Sequence, residues 1–551
     1  MSATAWPKNL PQGLTYPAVG VDAVLIGAAR AYPDRTALIE GDTSLTFSEL
    51  LDRAGRVAGG LRARGIEPGD VIALHMPNSL SFIVAYYGAM LSGAAVAPIN
   101  PAQPAPALRQ QLDDVAAKAV ITSPTSAATA LEADAASVKL LVGVPGQGEL
   151  PTGITPLAEL LDSDPLTGYR VNPNLVAHLQ LTGGTTGRSK AVRVLHRNLT
   201  ANLIQCVAWR ASALGYVDAE GGLRFEQVAD AVGPHTLTPG EGVYMGIAPF
   251  FHGLGLIGHN VEVALGTTVI LAGRFNPDRL IADVERLGVT HLIGSPPMYY
   301  AMLRSPELAY HDLSSVRMIL SGTAPIDTSA LGALAEHFPN AGVMEGYGLS
   351  ESTMGVTCAP IWSDVATPAG SIGIPLFDTE VELRDKSGRT VADGEVGELW
   401  VRGPQVTDGY QSHPELTAHQ FRDGWLVTGD LGRRDENGFL FIVGREKDMV
   451  IYKGYNVYPQ PLEEILCSHP AIAQAAVVGR KDAAAGEIPV GFVVLAPDVQ
   501  SGSDLADEVM AYLAERVAPY QKVRELHIVD ALPVTPTGKV LKSDLRAQLV
   551  G

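Results

Sequence analysis

Residues 180–190 run Gln180-Leu-Thr-Gly-Gly-Thr-Thr-Gly-Arg-Ser-Lys190. Between Thr182 and Lys190 stand three threonines and three glycines, and such a loop can fold N–H groups and hydroxyls around phosphate oxygens. Glycine permits close approach and positive φ, threonine adds donors, and the closing lysine adds a point charge. The pattern points to nucleotide handling. It is not a P-loop, because G-x-x-x-x-G-K-[ST] needs a Gly-Lys pair. Counting from Gly183 puts Arg188 at the second glycine, and counting from Gly184 puts Ser189 there. The flanks differ too. Leu175, Ala177, Leu179 and Leu181 alternate with Val176, His178 and Gln180, the period of a strand. Ala191–Leu195 reads as a second strand, and a helical period begins only near Leu199, with Leu203, Ile204 and Val207. The expected unit is strand–loop–strand; its rival is a flexible surface hairpin.

Outward from this loop the chain alternates. Val21–Ala31 and Ser48–Gly65 read as helices, and Val71–His75, Ala94–Pro98 and Ala119–Thr122 as strands. Val269–Leu271, His291–Gly294, Met318–Ser321 and Gly342–Glu345 continue the series with helices between, which predicts layered α/β units with largely parallel sheets. From Gly370 short strands separated by turns (Val381–Arg384, Gly397–Arg402, Gly438–Val443) predict a small β-rich subdomain. The last hundred or so residues predict a small α+β domain: a helix at Pro461–Cys467, strands at Ala475–Val478 and Val490–Val494, a helix at Ser503–Arg516 and a strand near Glu525–Val529. The charged run Gly444-Arg-Glu-Lys-Asp448 precedes it as a candidate hinge, dividing the chain at 1–446 and 447–551. The fold class is α/β.

The 551 residues carry a net charge of −19, so nucleic acid is not an expected partner. Cys206, Cys358 and Cys467 are scattered, without metal spacing, which suits a reducing compartment. The start, Met1-Ser-Ala-Thr-Ala-Trp-Pro-Lys8, lacks a signal-peptide pattern, and no apolar run approaches a membrane span. A cytoplasmic protein with no integral membrane association is expected.

Four more stretches accompany the loop: Glu345-Gly-Tyr-Gly-Leu-Ser-Glu351, Trp425-Leu-Val-Thr-Gly-Asp430, Gly444-Arg-Glu-Lys-Asp-Met-Val-Ile-Tyr-Lys-Gly-Tyr-Asn-Val457 and Pro533-Val-Thr-Pro-Thr-Gly-Lys539. In order and spacing the set resembles the adenylate-forming superfamily of acyl- and aryl-CoA ligases, firefly luciferase and peptide-synthetase adenylation domains. The resemblance covers nearly the whole chain and implies a large adenylation domain followed by a mobile C-terminal domain. It implies ATP, Mg²⁺ and coenzyme A as co-substrates and a carboxylic acid as the group activated. Thr182, Gly183, Gly184, Thr185, Thr186, Gly187 and Lys190 would hold phosphates, and Glu351, with Ser350 nearby, would hold Mg²⁺. Gly346, Tyr347 and Gly348 would lie against adenine, Asp430 and Arg445 at the ribose, and Lys539 between carboxylate and α-phosphate. Lys447 would be the pivot that brings Lys453 and Gly454 to the thiol mouth.

Taken singly, each has a plainer reading. Lys539 could be a surface turn, Glu351 a helix-start carboxylate, Asp430 a turn residue, and Arg445 with Lys447 a solvated charge run. Their shared order carries the assignment.

Pro249-Phe-Phe-His-Gly-Leu-Gly-Leu256 resembles the acid-tunnel stretch of these ligases. His252 would gate the carboxylate end (its rival reading is a core histidine), with Gly253, Leu256, Gly346 and Ser321-Gly322-Thr323-Ala324 as walls, and Gly294–Met298 as another. None of these segments carries a charged residue, so a mainly apolar fatty, aryl or alicyclic acid is expected. Departures include Gly184 in place of serine, Glu345 in place of Gln or Asn, Pro461 in place of glutamate, and a long Gly215–Gly242 segment that bears on acid specificity. The implied activity is an ATP-dependent acid–CoA ligase. Its alternatives are an enzyme loading an acyl carrier protein's pantetheine and a non-catalytic nucleotide-binding regulator.

Overall fold

The computed structural model describes residues 6, 7, 9–144, 150–182, 190–362, 366–497, 499, 502, 504–535 and 539–549. Two large sheets organise the N-terminal part. The first runs, in spatial order, Thr155–Pro156, Leu140–Gly143, Ala117–Thr122, Val71–His75, Ala95–Pro98, Val176–Thr182, Lys190–Leu195; all pairs are parallel except the last. The strand–loop–strand expectation is met: Val176–Thr182 and Lys190–Leu195 pair antiparallel, with Thr182 opposite Lys190. The second sheet has a parallel centre of Gly342–Tyr347, Met318–Ser321, His291–Gly294, Val243–Met245, Thr268–Ile270 and Thr36–Glu40, with short antiparallel edges.

The helix Leu80–Ser92 packs into the main core, and nearly every residue of it is buried. An all-round apolar helix shows no amphipathic period, so the sequence pattern is silent there. Ser79 caps its first turn and Gly93, at φ +79, ends it. Helix Phe47–Ala63 opens with a capping box between Thr46 and Glu49, one residue earlier than its apolar period suggests.

The Gly215–Gly242 segment is not at the acid site. It begins within a hairpin, Ala213–Val217 with Leu223–Gln227, laid on the helix Asp22–Ala31. The approach is close: a Cβ at Gly27 would stand 1.9 Å from the Leu223 carbonyl oxygen.

The small β subdomain is an antiparallel sheet of Glu380–Arg384, Gly397–Arg402, Trp425–Arg434, Phe421–Arg422 and Leu440–Arg445. The C-terminal sheet is built on a long hairpin, Ile472–Asp482 with Gly486–Leu495. Both strands outrun their apolar stretches because Lys481 pairs with Glu487 at the polar end. Helices Pro459–Cys467 and Leu505–Ala514 cover one face through Leu462, Leu466, Val509 and Leu513; Leu545 of Lys542–Gln548 covers the other.

Candidate active site

A cleft of about 730 Å³ lies where the carboxyl ends of both large sheets meet the small sheet and the C-terminal part. Ligands of parallel sheets bind at such ends. Pro98 and Thr182 close strands of the first sheet on it, Ser321 and Tyr347 strands of the second.

Lys190 and Thr182 enter it from the two sides of the glycine/threonine loop, the Thr182 hydroxyl reaching the Lys190 carbonyl at 3.3 Å. Gly183, Gly184, Thr185, Thr186 and Gly187 lie outside the described residues. Beside Lys190–Leu195 runs the segment 405–411. Arg193 N donates to Gly409 O at 2.9 Å and Gln411 N to Ala191 O at 2.8 Å, which fixes Tyr410 between them. The Tyr410 hydroxyl donates to Glu351 Oε1 at 2.5 Å. Burial and the neighbouring carboxylate hold this phenol far above its usual value, so it stays a donor.

Glu351 stands in the turn Ser350–Ser352 that follows Gly348. A Cβ on Gly348 would lie 1.6 Å from the Met354 carbonyl oxygen, so only glycine lets this loop double back. Thr353, at φ +66, anchors the far side by donating to Gln405 O at 2.6 Å.

Tyr347, Asp430 and Arg445 form one unit. The Tyr347 hydroxyl donates to Asp430 Oδ2 at 2.6 Å, and Arg445 Nε forms an ion pair with Oδ1 at 2.8 Å. Asp430 and Arg445 face each other across the pair Trp425–Arg434 and Leu440–Arg445. Asp430 is buried just behind the lining, whereas Tyr347 and Arg445 line the cleft.

His252 caps the helix Gly253–Ala264, accepting from Leu254 N at Nδ1. Burial first, then the Lys539 ammonium, hold its pKa below the usual value, so it faces the cleft neutral. The Lys539 carbonyl accepts from Thr535 N at 2.8 Å. Lys539 is solvent-accessible yet deep between the two parts of the chain, and desolvation there lowers its ammonium to about 8. Lys190, Lys539, Arg445 and Glu351 thus converge on one cleft.

The cleft brings together Lys190, Thr182, His252, Gly253, Ser321, Gly322, Thr323, Gly346, Tyr347, Gly348, Ser350, Glu351, Arg445, Lys447 and Lys539. Several expected walls are not there. Leu256 points into the main core, and Ala324 lies past the lining. Gly294–Met298 is shut off, because the Met298 side chain folds against Gly294. Lys453 and Gly454 sit exposed on the turn between Val450–Tyr452 and Tyr455–Val457, away from the cleft.

The lining residues that sequence reasoning missed include Gln180, Tyr410, Thr428 and Arg210. Gln180 occupies an outward-alternating position, yet is buried, donating to Phe251 O at 2.9 Å. Its Oε1 and the Ser321 hydroxyl are buried with no partner among the described residues. Among those residues no set of three or more His, Cys, Asp or Glu could hold a metal, and no helix is long and apolar enough to cross a membrane.

Comparison with known proteins finds relatives along nearly the whole chain. The model of the AMP-binding enzymes matches residues 26–411, and that of the AMP-binding enzyme C-terminal domain matches 461–539. A long-chain-fatty-acid–CoA ligase of Bacillus subtilis (strain 168) is 32% identical, covering 98% of this chain and 96% of its own. A feruloyl-CoA synthase of Amycolatopsis is 34% identical, covering 96% and 98%. The crystal structure of ATP-bound MatB from Rhodopseudomonas palustris superposes with a TM-score of 0.81 at 28% identity, over 96% of this chain and 99% of the other. The chain belongs to the AMP-binding enzyme family, the adenylate-forming superfamily of the motif resemblance.

Proposed function

We propose that the protein is an AMP-forming acid–CoA ligase. The observation that carries this reading is the convergence of Lys190, Glu351, Arg445 and Lys539, from four separate segments, at the head of one cleft beside His252. A carboxylate is a poor acylating agent because its leaving group would be oxide. Its oxygen attacks the α-phosphorus of ATP, the α–β bridging P–O bond breaks, and pyrophosphate departs. The coenzyme A sulfur then attacks the acyl carbon of this mixed anhydride, the carbon–oxygen bond to AMP breaks, and the thiol proton passes to solvent.

The first step gathers negative charge on phosphoryl oxygens, so positioning and charge neutralisation dominate. Lys190 faces the β- and γ-phosphates, with the Thr182 hydroxyl beside it. Lys539 bridges the acid carboxylate and the α-phosphate. Asp430 anchors Tyr347 and Arg445, and keeps a lone pair on each oxygen for the ribose hydroxyls. Glu351 is a carboxylate of the cleft lining that would hold Mg²⁺; when bound, the ion would supply charge neutralisation. Neutral His252 turns a ring toward the carboxylate without adding charge.

Chain segments 1–446 and 447–551 act as two bodies pivoting at Lys447 in this reading. The described arrangement, with Lys539 in the cleft and Lys453 and Gly454 outside it, suits the first half-reaction. The thiol step calls for the opposite face. The carrier-protein alternative presents the same pantetheine thiol. Acid-dependent pyrophosphate release that rises with CoA and yields acyl-CoA supports the ligase. Release that CoA leaves unchanged, with bound acyl-AMP accumulating, refutes CoA as the acceptor.

A further inference from the structure

The cleft does not end in an apolar wall. Its buried end is formed by Cys206, Trp209 and Arg210 from the helix His196–Ala211, with Cys358 and Leu376 opposite. Arg210 is the one charged residue among them, and its side chain is 6% exposed. Its Nη1 donates to Glu262 Oε1 at 3.3 Å, the single hydrogen bond its side chain makes among the described residues. Glu262 is engaged on its other oxygen as well: His291 Nε2 lies 2.8 Å from Oε2. His291 is fixed in turn by Thr290 at 2.9 Å and by stacking on Tyr244 at 5.2 Å.

A buried ion pair adds little net stability over apolar residues of equal volume, so stability alone does not account for a guanidinium in this wall. A guanidinium carries five N–H donors, and Glu262 takes one here. Arg210 lines the cavity together with Cys206, Trp209, Cys358 and Leu376, and its side chain makes no second hydrogen bond among the described residues. A purely apolar tail would leave the remaining donors without an acceptor.

Resting on the acid–ligase reading, we infer that the acid this protein activates carries a hydrogen-bond-accepting oxygen at the end remote from its reacting carboxylate, and that Arg210 selects for it. Glu262 already balances the guanidinium, so a neutral carbonyl oxygen meets the site without bringing in an uncompensated buried charge; a second carboxylate would bring one. The substrate is an apolar body with an oxygen at its tip.

The test uses the full-length protein and straight-chain and aryl acids of graded size. Each is assayed as the parent, with a terminal acetyl group, and with a terminal carboxylate, by acid-dependent pyrophosphate release. At the size that fits, the acetyl analogue should exceed its parent in kcat/KM by at least about tenfold, the worth of one hydrogen bond to a charged donor. In the double variant Arg210→Met, Glu262→Gln, which removes both charges at similar volume, that ratio should fall to about one. If the double variant does not fold, Arg210→Lys should still narrow the ratio, and the wild-type comparison stands without either. A carboxylate analogue that outperforms the acetyl one would keep the acceptor oxygen and identify it as an anion. Parent acids preferred at every size, or a ratio that survives the double variant, would overturn the inference while leaving the ligase reading intact. Absence of release with any acid would instead overturn the ligase reading, and this inference with it.

Discussion

Replacing Tyr410 by Phe removes one hydroxyl and leaves the packing in place. The ring is nearly buried, meets Phe421 edge-on at 6.1 Å, and is fixed by backbone hydrogen bonds to Ala191 and Arg193 on either side. What disappears is the 2.5 Å hydrogen bond to Glu351 Oε1. A hydrogen bond to a charged partner contributes about 1.5–3 kcal/mol, or about ten- to hundredfold in an equilibrium or rate. Because Tyr410 acts here through its hydrogen bond to Glu351, it is a positioning residue for that carboxylate. Its loss should therefore appear as a weaker response to Mg²⁺. In acid-dependent ATP–pyrophosphate exchange, Tyr410→Phe should need about tenfold more Mg²⁺ for half-maximal rate, or lose about that factor in rate at fixed Mg²⁺. The melting temperature should stay within a few degrees of the parent. A Mg²⁺ profile and rate within twofold of the parent would refute the claim that this tyrosine orients Glu351.

Three further outcomes follow from the same geometry. Lys539 must keep its proton to neutralise phosphoryl charge, and its ammonium is held at about 8, so kcat/KM for adenylation should fall about tenfold per unit as pH rises beyond that value. Lys539→Ala should cost about 10²–10³ in rate and abolish this limb; a wild-type profile flat to about pH 9.5 would contradict the assignment. His178 and His196 are held by burial at about 3, and His75 and His259 at about 4. Their folded values are depressed, so their stabilisation is complete above about 6.5 and is lost as pH falls, about 1.4 kcal/mol each by pH 5.5. Asp22 and Glu345, raised by burial to about 6 and about 7, act in the opposite sense and return part of it. The urea midpoint should therefore drop between pH 7.5 and 5.5, and equal midpoints would count against neutral buried imidazoles. Finally, Gly348→Ala places a Cβ 1.6 Å from the Met354 carbonyl. It should displace Ser350 and Glu351 and abolish exchange while far-ultraviolet circular dichroism stays unchanged; retained exchange would mean the loop tolerates a side chain there.

Much of this was legible in the sequence, and the reasons are physical. Strands such as Val71–His75, His291–Gly294 and Gly397–Arg402 coincide with their expected bounds because short apolar runs end at turn residues. The strand–loop–strand frame of the glycine/threonine loop was readable from two-residue alternation. Leu80–Ser92 was not, because burial on all sides erases periodicity. Neither was the hairpin Ala213–Val217 with Leu223–Gln227, whose half-exposed strands carry little apolar pattern.

The site divides in the same way. Residues carried by ordered motifs, such as Lys190, Glu351, Arg445 and Lys539, meet in the cleft. Those that reach it through tertiary packing alone, Tyr410 and Arg210, have no local signal. Arg210 is itself buried in an almost wholly buried helix, where only the cavity beside it and Glu262 give it meaning.

The most direct test of the central claim is pyrophosphate release with ATP and Mg²⁺ across a panel of acids, each with and without coenzyme A, with Lys539→Ala as control. The account predicts release that requires an acid, rises on adding coenzyme A, produces acyl-CoA and AMP, and is lost in Lys539→Ala. Release that is independent of any acid, or undiminished in Lys539→Ala, would contradict it.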